Sequence, residues 1–128
     1  MDAQNIAVVH HFLSSLIFTD VVETAVLFFM LRLVYKPRIS TSQIIFAGLY
    51  ASFSTIAYVW FVFPYLLAWS PGVSTFFAEL FAFLVEALFY RFVLRISWKT
   101  ALLASLVCNA FSYFLGPFLR SYGLWIYW

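Results

Sequence analysis

Charged residues are scarce in this chain of 128 amino acids, with Asp, Glu, Lys and Arg together making up 9%. Water-soluble domains carry about 25% charged residues, because a folded surface has to be solvated. Cysteine is also nearly absent, and a single Cys108 excludes both a disulfide scaffold and a paired-thiol redox centre. Glycine and proline, with four of each, are too few for a fibrous or low-complexity chain.

Apolar residues, in contrast, make up 66% of the chain, and aromatic residues alone make up 23%. A chain this short leaves much of its folded surface exposed, so it could not hide so many apolar side chains from water. The composition therefore predicts an integral membrane protein in contact with the lipid bilayer. The formal net charge of +2 is too small to indicate a nucleic-acid partner.

The lengths of the apolar runs predict how often the chain crosses the bilayer. A hydrocarbon core about 30 Å thick needs about 20 helical residues. Four runs of sufficient length occupy residues 6–35, 44–67, 76–96 and 100–119. Short polar or proline-containing segments separate them, and Gly116-Pro117 is predicted to end the last helix. We therefore expect one all-α, polytopic membrane domain over residues 1–128, with residues 120–128 as an aromatic tail at the interface.

The basic residues predict the orientation of these helices. Six of the seven lie near the first and third connections, namely Arg32, Lys36, Arg38, Arg91, Arg95 and Lys99, and only Arg120 lies near the other side. Basic residues are retained on the cytoplasmic side of membranes. Both termini are therefore predicted to be non-cytoplasmic. Residues 1–5 contain no basic residue, so we expect the first helix to be retained and not cleaved as a signal peptide.

The two halves of the chain resemble each other. A shift of 63 positions aligns residues 21–33 with residues 84–96, placing Glu23 on Glu86 and Arg32 on Arg95. The similarity extends over residues 21–63 and 84–119 with a small gap. Each half contains two spans, so the halves run in the same direction. The sequence thus predicts two helical hairpins that form a parallel repeat about an axis along the membrane normal.

Polar residues recur near the middle of every predicted span. Helical spacing places them on faces that should point into the bundle, where they can form hydrogen bonds between helices. These residues are Asp20, Glu23, Thr24, Ser52, Thr55, Glu86, Ser105, Asn109 and Ser112. Glu79 is a further polar residue within a span, but it lies nearer one end of its helix.

The acids need a stronger explanation than the hydroxyl and amide groups. Four of the five acids lie within the spans, and inserting an ionised acid at mid-depth costs at least about 2.5–3.5 kcal/mol. Arg91 is the only base at comparable depth, and we expect it to act as counter-ion to one acid at most. The remaining acids must be protonated, hold a cation, face water or meet bases of another chain.

Three interpretations follow from these acids. In the first, Glu23 and Glu86 bind protons or a small cation, with Asp20, Asn109 and Glu79 nearby, in a small transporter or channel. In the second, the chain is an accessory or assembly subunit whose acids pair with a partner. In the third, neutral glutamates only set the register of the helices by hydrogen bonding. A bundle of four helices is narrow, so we also expect a homo-oligomer or a partner membrane subunit.

Motifs for enzymatic chemistry are missing from the sequence. It contains no phosphate-binding glycine loop, nucleophile elbow or zinc-protease motif. His10 and His11 are adjacent, so their rings point about 100° apart on a helix and are poorly placed to share a metal. We therefore expect no enzyme activity, no cofactor and no metal centre.

Overall fold

A computed structural model describes residues 3–35 and 38–123 of the chain. The structure is 89% helical, and no strand occurs in the described part. This confirms the all-α prediction. Lys36 and Pro37 of the first connection lie outside the described residues, and so do residues 124–128 of the predicted tail, with Trp125, Tyr127 and Trp128. Arg120 and Ser121 at the start of that predicted tail are helical.

Four long helices make up the described ranges. Helix α1 spans Ala3–Phe29 and continues as a π-helical segment, Met30–Tyr35. Helix α2 spans Thr41–Leu66 and contains a π-helical segment, Tyr58–Val62. Helix α3 spans Pro71–Val93, and α4 spans Trp98–Ser121. Helices α2, α3 and α4 are long and apolar enough to cross a membrane, which supports a membrane protein.

All four helices begin two to five residues before the predicted apolar runs, and the connecting segments start three of them. Ser40 caps α2 by accepting from the Gln43 amide at 3.2 Å, and the Gln43 side chain accepts from the Ser40 amide at 3.2 Å. Ser97 caps α4 by accepting from the Thr100 amide at 3.1 Å. Pro71 occupies the first turn of α3, where its missing N–H has no intrahelical role.

The ends of α3 and α4 also differ from the sequence prediction. Helix α4 does not end at Gly116-Pro117 but continues to Ser121 with Pro117 inside it. Membrane helices tolerate such prolines because neighbouring groups satisfy the freed carbonyl. Helix α3 ends at Val93, three residues before Ile96, because Arg95 adopts a left-handed conformation with φ of 54°.

The four helices pack in a ring in which each touches two neighbours. Helix α1 contacts α2 and α4, and α3 contacts the same two helices. The half of the bundle nearest the first and third connections is filled by apolar side chains that exclude solvent. This apolar plug consists of Leu27, Leu31, Ile44, Ala47, Ala51, Tyr90, Leu94, Ile96, Ala101, Ala104 and Cys108.

Candidate functional site

A cavity of about 280 Å³ lies in the other half of the bundle, and all four helices line it. Three carboxylic acids reach its wall: Glu23 from α1, and Glu79 and Glu86 from α3. Glu79 precedes Glu86 by seven residues, or about 10 Å along a helix. The cavity therefore extends from the glutamates at mid-helix toward the end of the bundle where α4 terminates, and Arg120 of α4 also lines it.

Glu23 is 1% exposed and lies between α2 and α4. Its two carboxyl oxygens face one hydroxyl from each helix: Oε2 is 2.5 Å from Ser52 Oγ, and Oε1 is 2.6 Å from Ser112 Oγ. Both oxygens therefore have a hydrogen-bond partner although they are buried. Helical periodicity alone brings Ser52 and Ser112 to inward faces, but only the packing of α2 and α4 places them on the same carboxyl group.

Glu86 is equally buried and also lies between α2 and α4. Its Oε1 accepts from Thr55 Oγ1 at 3.1 Å, and its Oε2 accepts from the Asn109 amide at 2.6 Å. Asn109 also donates to the Ser105 carbonyl at 3.0 Å. An amide group has two donor hydrogens, so Asn109 can maintain both bonds at once.

The hydroxyl groups around these glutamates each have a second acceptor within reach. Ser52 Oγ is 3.2 Å from the Gly48 carbonyl, Ser112 Oγ is 3.1 Å from the Asn109 carbonyl, and Thr55 Oγ1 is 3.0 Å from the Ser52 carbonyl. A hydroxyl has one hydrogen, so it can donate to the carboxylate or to the backbone, but not to both. When it donates to the backbone, its oxygen can accept a hydrogen bond from the O–H of a neutral carboxylic acid. The network therefore satisfies either protonation state.

The other predicted polar residues lie beside this pair. Ser105 donates to the Phe83 carbonyl at 2.8 Å and joins α4 to α3. Thr24 packs against Gly48, and its hydroxyl has no hydrogen-bond partner among the described residues. Asp20 is half-buried and lies outside the cavity wall, and its Oδ1 atom likewise has no hydrogen-bond partner in the described ranges.

The two hydrogen bonds to the Glu86 carboxyl group come from Thr55 and Asn109 and not from Arg91. Its guanidinium carbon lies 5.8 Å from the centre of the Trp98 ring, a cation–π distance. Its Nε atom is buried without a hydrogen-bond partner in the part of the chain that the structure describes. The role of Arg91 as a counter-ion therefore stays a prediction.

Several residues that line the cavity were not predicted from the sequence to belong to the site. They are Trp60 of α2 and Tyr113, Gly116, Pro117 and Arg120 of α4. On α4 the signal was present, because these positions continue the helical face that begins at Asn109, with spacings of four, seven, eight and eleven residues. On α2, nothing distinguished Trp60 from the aromatic residues that face lipid.

Within residues 3–35 and 38–123, no group of three or more His, Cys, Asp or Glu side chains is placed to hold a metal ion. The nearest groups to each central glutamate are hydrogen-bond donors, which suit an oxygen that carries or loses a proton. A metal ion would instead need several oxygen ligands that converge on one point.

Comparisons of the chain with known protein families, with curated proteins and with solved structures found no significant match.

Proposed function

We propose that this chain is a small membrane protein that crosses the bilayer four times and binds protons at the paired glutamates Glu23 and Glu86. The observation that carries this proposal is the double hydrogen-bonding capacity around each carboxyl group. Ser52, Ser112 and Thr55 can each donate either to a glutamate or to a backbone carbonyl. Gain or loss of a proton then needs only rotation of hydroxyl groups and no repacking of helices.

The fourth crossing in this proposal is α1. Its 27 residues correspond to about 40 Å of helix, more than the hydrocarbon core requires. Helix α1 packs along α2 and α4, both of which have the length and apolarity of membrane spans. It also contributes Glu23, which would face lipid or water if α1 did not lie within the bundle. With four crossings, the clustering of basic residues at the two connections supports termini on the non-cytoplasmic side.

The hydrogen bonds of the two glutamates support a parallel repeat of two hairpins. Glu23 and Glu86 are 63 residues apart, whereas their partners repeat at a spacing of 57 residues: Ser52 with Asn109, and Thr55 with Ser112. Each glutamate bonds one residue from its own hairpin, Ser52 or Asn109, and one from the other hairpin. A twofold relation between the hairpins accounts for all four bonds.

The cavity gives access to Glu23 and Glu86 from one end of the bundle. The cavity reaches Glu23 and Glu86 from the end where Arg120 lies, and the apolar plug fills the other half of the bundle. Protons would thus enter from the non-cytoplasmic side. Their passage to the cytoplasm would require the plug to open beside Tyr90, its largest fully buried side chain. We therefore infer a transporter-like or gated mechanism and not a continuously open pore.

The test is proton flux in liposomes that contain the purified protein, followed with an internal pH-sensitive dye under an imposed potential. The double variant Glu23→Gln, Glu86→Gln should abolish the flux. Glutamine has nearly the same shape and can both donate to and accept from the neighbouring groups, so the variant should remain folded. Circular dichroism and size-exclusion chromatography check that it does.

The matched control is Asp20→Asn, which neutralises another acid of α1 outside the cavity wall. It should retain the flux of the unmodified protein. The proposal is wrong if the double glutamine variant conducts protons normally, or if Asp20→Asn lowers the flux as much.

A second candidate function, an accessory subunit, is favoured by Asp20 itself. Asp20 is only half-buried in this chain, so part of its side chain is open to a neighbour, and its Oδ1 atom has no hydrogen-bond partner among residues 3–35 and 38–123. An acid in this position within a membrane would be stabilised by a basic or hydrogen-bonding residue of a second membrane chain. Gentle purification from its native membrane tests this: stoichiometric co-elution of another chain, lost in Asp20→Asn, would support the subunit, and a homogeneous homo-oligomer would argue against it.

A further inference from the structure

A second recess lies at the opposite end of the bundle from the glutamate cavity. It is a cleft of about 720 Å³ between the first and third connections, and its wall includes Arg38, Gln43, Arg95 and Thr100. Both arginines are exposed, so their guanidinium groups are accessible to a ligand in the cleft. The cleft also has apolar wall residues, among them Phe92.

The charge at this end has no acidic counterpart. Residues 24–78 and 87–128 contain no Asp or Glu, whereas they contain all seven basic residues of the chain. Arg32 donates to Thr41 Oγ1 at 2.9 Å, and Arg91 lies over Trp98. Among the described residues, Arg38 and Arg95 are thus the bases that line the cleft, and an anion is the partner that suits their charge.

The backbone at Arg95 supports a role for its side chain. Arg95 has a φ of 54°, in the left-handed region, directly after the end of α3. Glycine is the usual residue at this position of a helix end, because a side chain there costs free energy. The presence of an arginine at a position that favours glycine points to a use of the guanidinium group outside the turn.

Two helices also begin at the cleft. Ser97 and Thr100 from the first turn of α4, and Gln43 from the first turn of α2, belong to its wall. The N-terminal ends of helices carry partial positive charge and add to the field of the two arginines. Arginine is suited to phosphate because its planar group can donate two parallel hydrogen bonds to phosphate oxygens.

We propose that this cleft binds the phosphate group of an anionic ligand, either a phospholipid head group or a free phosphate compound, between Arg38 and Arg95. The test uses the full-length protein in detergent, titrated with phosphatidylglycerol or phosphatidylcholine and measured by native mass spectrometry. The unmodified protein should prefer phosphatidylglycerol. Loss of a charge-assisted hydrogen bond to a phosphate oxygen weakens binding at least about tenfold, so Arg38→Gln and Arg95→Gly should each have this effect.

Arg95→Gly keeps the test independent of folding, because glycine relieves the left-handed backbone and should maintain or raise thermal stability. Lys99→Gln is the matched control, since it removes one charge at the same end but outside the cleft wall. It should weaken binding by less than about twofold. Equal losses for Lys99→Gln and Arg95→Gly, or no preference for phosphatidylglycerol, would overturn the proposal. Displacement of the lipid by millimolar inorganic phosphate would identify a free phosphate compound as the ligand, and its retention would identify the lipid.

Discussion

The contact between Gly48 of α2 and Thr24 of α1 gives the sharpest prediction for stability. A Cβ atom added at Gly48 would lie 2.6 Å from Thr24 Oγ1 and 2.9 Å from Thr24 Cα. The second atom belongs to the backbone, so a rotation of the threonine side chain cannot remove the clash. To bring Thr24 Cα to an ordinary contact of 3.4 Å, the two helices would have to separate by about 0.5 Å even after the threonine side chain rotated.

The separation would also weaken the glutamate network. Ser52 is one turn from Gly48 on the same face of α2, and its hydroxyl is 2.5 Å from Glu23 Oε2. A rigid shift of the same size would lengthen this bond to about 3.0 Å. Overpacking costs about 1–3 kcal/mol, and a hydrogen bond between membrane helices contributes about 0.6 kcal/mol. Gly48→Ala should therefore destabilise the protein by about 2–3 kcal/mol.

The assay is unfolding of the purified protein by sodium dodecyl sulfate in mixed micelles, followed by circular dichroism. Gly72→Ala is the matched control, because a Cβ at Gly72 meets no atom within 4 Å and α3 is helical there. Alanine is the better helix former, so this variant should be as stable as the unmodified protein or slightly more stable. Unfolding of Gly48→Ala and Gly72→Ala at the same detergent fraction would contradict the close packing of Gly48 against Thr24.

Three further predictions concern other parts of the bundle. Asn109→Leu should lower the free energy of unfolding by about 1–3 kcal/mol in the same assay, because Glu86 Oε2 loses its donor, and adding Glu86→Leu should recover part of the loss. Cys108 is fully buried, so a maleimide should label it far more slowly in mild detergent than after unfolding; equal rates would contradict its place in the plug. In a Cys108→Ala background and intact cells, an impermeant maleimide should label Ser121→Cys but not Ser42→Cys; the reverse pattern would invert the proposed orientation.

The sequence predicted the components of the site but not their pairing. Periodicity placed Glu23, Ser52, Glu86 and Asn109 on inward helix faces, and their depth followed from span length. It could not assign Ser112 to Glu23 or Thr55 to Glu86, because these contacts join residues 89 and 31 positions apart. Such contacts depend on which helices are neighbours and on their relative heights, and apolar membrane segments carry little information about either.

The sequence also did not predict that one half of the bundle is hollow and the other half is filled by side chains. Tyr90 and Cys108 belong to the apolar plug, whereas Tyr113 and Trp60 line the cavity, although all four are ordinary membrane residues. Whether a helix face is filled or hollow depends on how side chains from four helices meet at one level. The sequence of one helix does not give the positions of the side chains that the other three helices place at that level.

Composition and periodicity by themselves determined the helical class, the lipid environment and the inward faces, because these depend on local hydrophobicity and on the helix repeat. Tertiary structure decided which hydroxyl meets which carboxyl oxygen, where the cavity ends, and that Arg95 turns out of α3 toward the cleft. These features depend on distances between residues far apart in the chain. Only the packed bundle fixes such distances.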